Sequence, residues 1–213
     1  MQRSLLHIAA VIGAIAIGAP AVAATFTFDQ DPFAGTTALT TPGRQIVGGE
    51  PFISFSTASD VYAFDPRVFA AGDTVLFAND LVGNLPTSGR NIVVLETFDD
   101  DANSGTAFGA GNAANLIAGR VTTDGAGFFI YFNSGLNLPR LVYSTNLSDN
   151  TADLKILARM TNLSGQSGQL VNFTAGNFQF LTVPEPATWA TMILGLGLVG
   201  AAFRRRNAAL AVA

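Results

Sequence analysis

The sequence predicts an all-β protein, an antiparallel β-sandwich of jelly-roll type, carried between an N-terminal signal-peptide helix and a C-terminal transmembrane helix. Three observations lead there. Glycine, asparagine, serine and threonine punctuate the interior of the 213-residue chain about every eight to fifteen residues. Between them lie short runs rich in Val, Ile, Phe and Tyr, which favour a pleated, half-buried backbone. No interior segment shows a convincing helical period. Many short strands joined by Gly-rich turns suit a sandwich or jelly roll. A β-helix is the alternative, but it needs a fixed repeat, and the sequence has none.

The first element is the front end. Met1-Gln2-Arg3 carries positive charge, and Leu5 to Ala19 follows without any, interrupted in its apolar character by His7. Pro20 and the small run Ala21-Val22-Ala23-Ala24 close the segment. This order of basic, apolar and small-residue regions is the signature of a secretory signal peptide. Ala21 and Ala23 fit a cut before Ala24, whereas Val22 and Ala24 fit a cut before Thr25. A buried N-terminal helix is disfavoured by Pro20 and by the strand-like Thr25-Phe26-Thr27-Phe28. Residues 1–23 are therefore set apart from the folded body.

Residues 24–183 make one domain of ordinary size, long enough to bury about 70% of its unfolded surface. Strands are expected near 25–29, 44–48, 52–56, 60–64, 73–78, 91–97, 115–121, 126–132, 139–144, 152–160, 169–173 and 177–182. The clearest is 153–160, where Leu154, Ile156, Ala158 and Met160 alternate with Asp153, Lys155, Leu157 and Arg159. One face is apolar and the other mostly charged, as an antiparallel strand over a core requires. Phe128, Ile130 and Phe132 alternate with Phe129 and Tyr131, which predicts a strand buried on both faces.

Charge and composition exclude several functions. The whole chain has a formal charge of −4, but Arg3, Arg204, Arg205, Arg206 and Glu185 lie at the ends. The domain keeps seven basic residues against fourteen acids, a net −7. Such a surface repels phosphate backbones, so nucleic acid is not an expected partner, and divalent cations or neutral glycans suit it better. There is no cysteine, hence no disulfide, thiolate metal site or cysteine nucleophile. The single histidine is His7, so residues 24–183 offer no imidazole for a triad, a zinc site or a general base near neutral pH.

The first candidate site is Asp99-Asp100-Asp101-Ala102-Asn103-Ser104-Gly105. Asp99, Asp101 and Asn103 have the D-x-D-x-N spacing that lets alternate side-chain oxygens converge on Ca²⁺. The glycine comes one residue later than in an EF-hand loop, and Ala110 stands where a bidentate glutamate is expected; Glu96 is a further possible ligand. A solvated acidic turn explains the same residues. Asp149 and Asp153 form a second acidic pair, although turn chemistry accounts for that stretch as well. Gly165-Gln166-Ser167-Gly168-Gln169 falls one glycine short of a nucleophile elbow, with no histidine to activate Ser167. Glu50 and Glu96 are the only glutamates of the domain, so a carboxylate-based glycoside hydrolase would rest on that pair. Tyr62, Tyr131 and Tyr143 can stack sugars if exposed, although Tyr131 and Tyr143 sit in strong strand patterns. No catalytic residue is assigned and no cofactor is expected, Ca²⁺ apart.

The last element is residues 184–213. Positions 187–203 are 17 residues without charge, about 26 Å of helix at ~1.5 Å per residue, enough for a thin bilayer core. Arg204, Arg205 and Arg206 then act as a membrane stop on the cytoplasmic side, which places the domain outside. Composition alone is satisfied by a plain C-terminal anchor. The run Pro184-Glu185-Pro186-Ala187-Thr188-Trp189-Ala190, the apolar span and the terminal arginine cluster, in that order, resemble the PEP-CTERM tail and its PEPxxWA variant over about residues 183–206. The resemblance implies that Pro184, Glu185, Pro186, Trp189 and Ala190 form the sorting motif, read by a membrane-embedded exosortase-type enzyme. It also implies export through the inner membrane, transient or permanent anchoring, and delivery to the cell surface or exopolysaccharide matrix. The expected function is thus a non-enzymatic envelope or biofilm-matrix protein. A carbohydrate-binding module, assisted by calcium or not, is the alternative, with exopolysaccharide as its partner.

Overall fold

The computed structural model describes residues 22–182, 191–196 and 198. Ten strands are present among them: β1 (Thr25–Phe28), β2 (Ile46–Val47), β3 (Phe52–Ile53), β4 (Val61–Phe64), β5 (Phe77–Asp80), β6 (Ile92–Leu95), β7 (Gly127–Asn133), β8 (Leu138–Ser144), β9 (Leu154–Met160) and β10 (Phe178–Phe180). One α-helix, α1 (Ala110–Ala118), lies between β6 and β7. Strand β7 is at the centre because its sequence, Gly-Phe-Phe-Ile-Tyr-Phe-Asn, is buried at all seven positions. The alternation sends Phe128, Ile130 and Phe132 to one apolar cluster and Phe129 and Tyr131 to another on the opposite face.

Two sheets result. The larger has the order β2-β9-β8-β7-β6-β5, with β3 also pairing β9 further along that strand; the smaller has the order β1-β4-β10. The all-β expectation holds, but the pairing corrects the antiparallel one. Only β7–β8 and β8–β9 are antiparallel, neighbours in sequence joined through residues 134–137 and 145–153. The other six ladders among the described residues are parallel. Connection length explains the difference, since parallel neighbours need a long crossover. The chain from β6 through α1 to β7 is such a crossover, a βαβ unit inside a β-rich domain.

The small sheet lies on one face of the large one. Tyr62, Phe64 and Phe178 from the small sheet join Ile92, Val94, Phe128, Ile130 and Leu141 in one buried cluster. Phe64 and Phe128 stack across that boundary with ring centroids 3.7 Å apart. The opposite face of the large sheet is covered by α1, whose Ala113 and Ile117 pack with Val93, Leu95, Phe129 and Ile156.

Helix α1 is a second correction, because residues 115–121 read as a strand. Its buried positions Ala110, Ala113, Ala114 and Ile117 recur at a helical period. At its start the Gly109 backbone N–H donates to Asn112 Oδ1 at 3.1 Å. The strand expected at 169–173 is instead part of a 3-10 segment, Ser167–Asn172. The strand expected at 73–78 forms later, at Phe77–Asp80.

Residues 1–21, the sorting residues Pro184, Glu185, Pro186, Trp189 and Ala190, and the arginines 204–206 lie outside the described residues. Of the expected span 187–203, residues 191–196 are helical and exposed. No helix among the described residues is long and apolar enough to cross a membrane.

Candidate functional site

The acidic loop follows β6 and leads into α1. Its local hydrogen bonds come from alternate side chains. Asp99 Oδ1 accepts the Asp101 N–H at 3.1 Å, Asp101 Oδ1 accepts the Asn103 N–H at 2.9 Å, and Asn103 Oδ1 accepts the Gly105 N–H at 3.0 Å. Each is an Asx turn, in which a short polar side chain replaces a backbone acceptor two residues earlier. Ala102 takes the left-handed conformation that this winding needs, with φ 58°. The path brings carboxylate oxygens of Asp99, Asp100 and Asp101 within 4.8 Å of one another, all exposed.

The structure thus brings Asp99 and Asp101 together with Asp100. Asn103 stays in the loop, but its Oδ1 faces the Gly105 amide. Asp100 Oδ2 also accepts Asn112 Nδ2 of α1 at 2.9 Å, which ties the loop to the helix. Beside the loop is a cleft of about 310 Å³ lined by Phe98, Asp99, Asn103, Phe132, Ser134 and Asn137. Phe98 is 43% exposed and meets Phe132 edge-on at 5.9 Å. Glu96 lines a smaller neighbouring cleft with Leu81, Phe98 and Val171 and is not part of the carboxylate trio.

Glu50 has a different setting. Its side chain is 1% exposed, and Oε1 accepts from both Arg140 Nη2 and Arg159 Nε. Arg140 also reaches the Tyr131 hydroxyl at 3.4 Å, which takes a second hydrogen bond from Asn133 Nδ2 at 3.1 Å. The Arg159 guanidinium lies over the Phe52 ring, 5.0 Å from its centroid. Burial opposes ionisation of Glu50, but the hydrogen bonds from Arg159, its own backbone N–H and Arg140 outweigh it and hold the carboxyl below its ordinary range. A glycosidase acid needs the opposite shift. Glu96 follows β6, two strands from β8 and three from β9, and it lines a different cleft from Glu50, whose cleft is lined by Phe28, Pro51, Phe69 and Lys155. The fold does not place the two glutamates in one cleft.

Asp149 and Asp153 also part. Asp153 is 8% exposed and accepts the backbone N–H groups of Leu39 at 2.7 Å and Gln45 at 2.6 Å, fastening the 39–45 segment to β9. Asp149 instead accepts Thr151 N–H and Oγ, both at 2.7 Å. It lines an open polar cleft with Asp124, Asn146 and Ser148, and Asp124 accepts from the Ser148 hydroxyl. Asp124 was not singled out in the sequence, because it lies 24 residues from Ser148 in a separate loop. Ser167 opens a 3-10 segment rather than a strand-to-helix elbow. Tyr62 and Tyr131 are fully buried and Tyr143 is 5% exposed, so none offers a ring to a sugar.

The PEP-CTERM protein-sorting motif matches residues 182–206. That motif marks exported proteins handled by an exosortase, with membrane-associated sorting toward the cell surface. No curated protein and no solved structure matches the chain.

Proposed function

We propose that this chain is a non-enzymatic protein of the cell envelope or exopolysaccharide matrix, delivered there by its sorting tail. The observation that carries the reading is the motif at residues 182–206. The motif abuts the folded body directly. Strand β10 ends at Phe180, and the Leu181 N–H donates to Phe64 O at 2.8 Å, one residue before the motif begins. A non-enzymatic role is supported by the lack of histidine and cysteine in residues 24–183 and by the placement of Glu50 and Glu96 in different clefts. Fractionation of producing cells tests the reading. The full chain is expected in membrane and surface fractions, and a variant lacking residues 184–213 is expected to lose surface retention. Recovery of the full chain from the cytosol alone would overturn it.

A second reading is favoured by the cleft beside the acidic loop. The half-exposed Phe98 ring is a platform for the C–H face of a sugar, and Ser134, Asn137 and Asn103 surround it with hydroxyl and amide groups. Asp99 belongs both to this cleft and to the carboxylate trio. In this reading Asp99, Asp101 and Asn103 hold Ca²⁺, with Asp100 adjacent, and the ion fixes one wall of a glycan site. The exported protein should co-sediment with the producer's own exopolysaccharide in calcium, release it with a chelator, and bind at least about tenfold less in Asp101→Ala, a loss of roughly 1.4 kcal/mol. Binding that ignores chelator and Asp101→Ala would remove the metal from the reading. No binding in either condition would leave the structural role alone.

A further inference from the structure

Export of this chain leaves two cuts open by residue type, before Ala24 or before Thr25. The fold distinguishes them. Ala24 is already tied into the small sheet ahead of β1. Its N–H donates to Asp60 Oδ1 at 2.9 Å, and its C=O accepts the Val61 N–H at 2.9 Å. Immediately upstream the ties end: Val22 is 91% exposed, and residues 22–24 have no regular secondary structure.

Asp60 is the unusual partner. It is 6% exposed, and among the described residues it makes no ion pair. Its Oδ1 also accepts Ser59 Oγ at 3.1 Å, and its Oδ2 accepts the Ser56 N–H at 2.9 Å. Burial opposes its ionisation, but the hydrogen bonds from Ala24, Ser56 and Ser59 hold the carboxyl below its ordinary range. A buried carboxylate without a countercharge is costly. Here it faces the one backbone nitrogen that a cut before Ala24 would convert into a cation.

We infer that signal-peptide removal breaks the Ala23–Ala24 bond and that the Ala24 α-ammonium so formed pairs with Asp60, clamping β1 against β4. This rests on the export reading above. The step is a peptide hydrolysis by a signal peptidase. The C–N bond breaks, the oxygen of water joins the Ala23 carbonyl carbon, and a proton goes to Ala24 N. The new carboxylic acid loses its proton and the amine gains one, leaving a carboxylate on the departing peptide and an ammonium on the domain. The nitrogen keeps its place 2.9 Å from Oδ1, so a hydrogen bond from a neutral amide to the carboxylate becomes a bond between opposite charges without rearrangement. A cut before Thr25 would instead delete Ala24 and leave the Val61 N–H without its acceptor.

N-terminal sequencing of the protein recovered from the surface of producing cells tests the cut, and Ala24 is the expected first residue. Thr25 in that place would overturn the inference and leave the export reading standing. An intact Met1 terminus would overturn both. The ion pair is tested by labelling the α-amine of the exported protein with an acylating reagent at neutral pH. The wild-type amine should react about tenfold more slowly than that of Asp60→Asn, because the pairing carboxylate holds it in its unreactive protonated form. Equal rates would overturn the pair. Should Asp60→Asn fail to be exported, Ala21→Phe decides the matter. It blocks the cut before Ala24 and spares the one before Thr25, so its exported product should begin at Thr25 and melt at least several degrees below wild type. An unchanged melting temperature in that product would also overturn the pair.

Discussion

Glu50→Ala is expected to destabilise the domain by about 3–5 kcal/mol, the usual cost of removing one partner from a buried charge cluster. At about 2–4 °C per kcal/mol for a domain of this size, the melting temperature should fall by roughly 6–20 °C. The cause is the register of β8 and β9. Arg140 and Arg159 are direct partners across that antiparallel pair, and like charges directly opposite each other repel. Their side chains are only 12% and 26% exposed, so water screens them poorly. Glu50, from the loop between β2 and β3, places one oxygen against both. Without it, two half-buried guanidinium groups face each other uncompensated. The pH dependence follows from the same contacts. Because Glu50 is held below the ordinary carboxyl range, its contribution is complete above that range and fades as pH falls through the lower folded value. Wild type and Glu50→Ala should therefore differ most near neutral pH and draw together in strong acid. Arg159→Met in the Glu50→Ala background should recover part of the loss by removing one unpaired charge. Thermal melts from pH 2 to 7 check all three points, and equal melting temperatures at neutral pH would refute the argument.

The same cluster shows which features a single sequence can reveal. Signals confined to a few neighbouring residues were readable. Strand β9 announces itself by period-two alternation, and β7 by an uninterrupted Phe-Phe-Ile-Tyr-Phe run that only a strand buried on both faces can hold. The acidic loop was readable because its oxygens come from consecutive turns of one segment. The tail was readable because proline, apolar span and arginines follow in fixed order. What depends on partners far along the chain was not readable. Glu50 lies 90 residues from Arg140 and 109 from Arg159, so sequence alone made it a candidate acid, whereas the fold makes it a buried counterion. Tyr62 looked available to a ligand until Phe55 stacked on it at 4.2 Å. The parallel ladders were missed because an apolar strand reads alike in either direction. Helix α1 was missed because its core stripe is mostly alanine, which gives a weak pattern. Docking on Phe129 and Val93, and not intrinsic propensity, makes that face count.

Phe64→Ala should cost about 3–5 kcal/mol, the range for deleting a fully buried aromatic ring. Phe64 is 0% exposed and sits in β4, the middle strand of the small sheet. Its ring stacks on Phe128 of the large sheet at 3.7 Å and meets Phe69 edge-on at 6.0 Å. Phe28 of β1 stacks on it at 5.7 Å, and Phe180 of β10 lies 6.0 Å away. One ring thus joins both flanking strands of its own sheet to the centre of the other. Deleting it empties the boundary between the sheets, and rings held from several sides cannot collapse far into the void. The backbone carbonyl of Phe64 also receives the Leu181 N–H, the last hydrogen bond before the sorting motif. The substitution should therefore loosen β10 more than it loosens β7, which is embedded between β6 and β8. Amide exchange should rise first at Gln179, Phe180 and Leu181, and limited proteolysis should release the tail sooner than in wild type. Uniform loss of protection across both sheets would show that the small sheet does not open separately. An unchanged melting temperature would show that Phe64 does not hold the two sheets together.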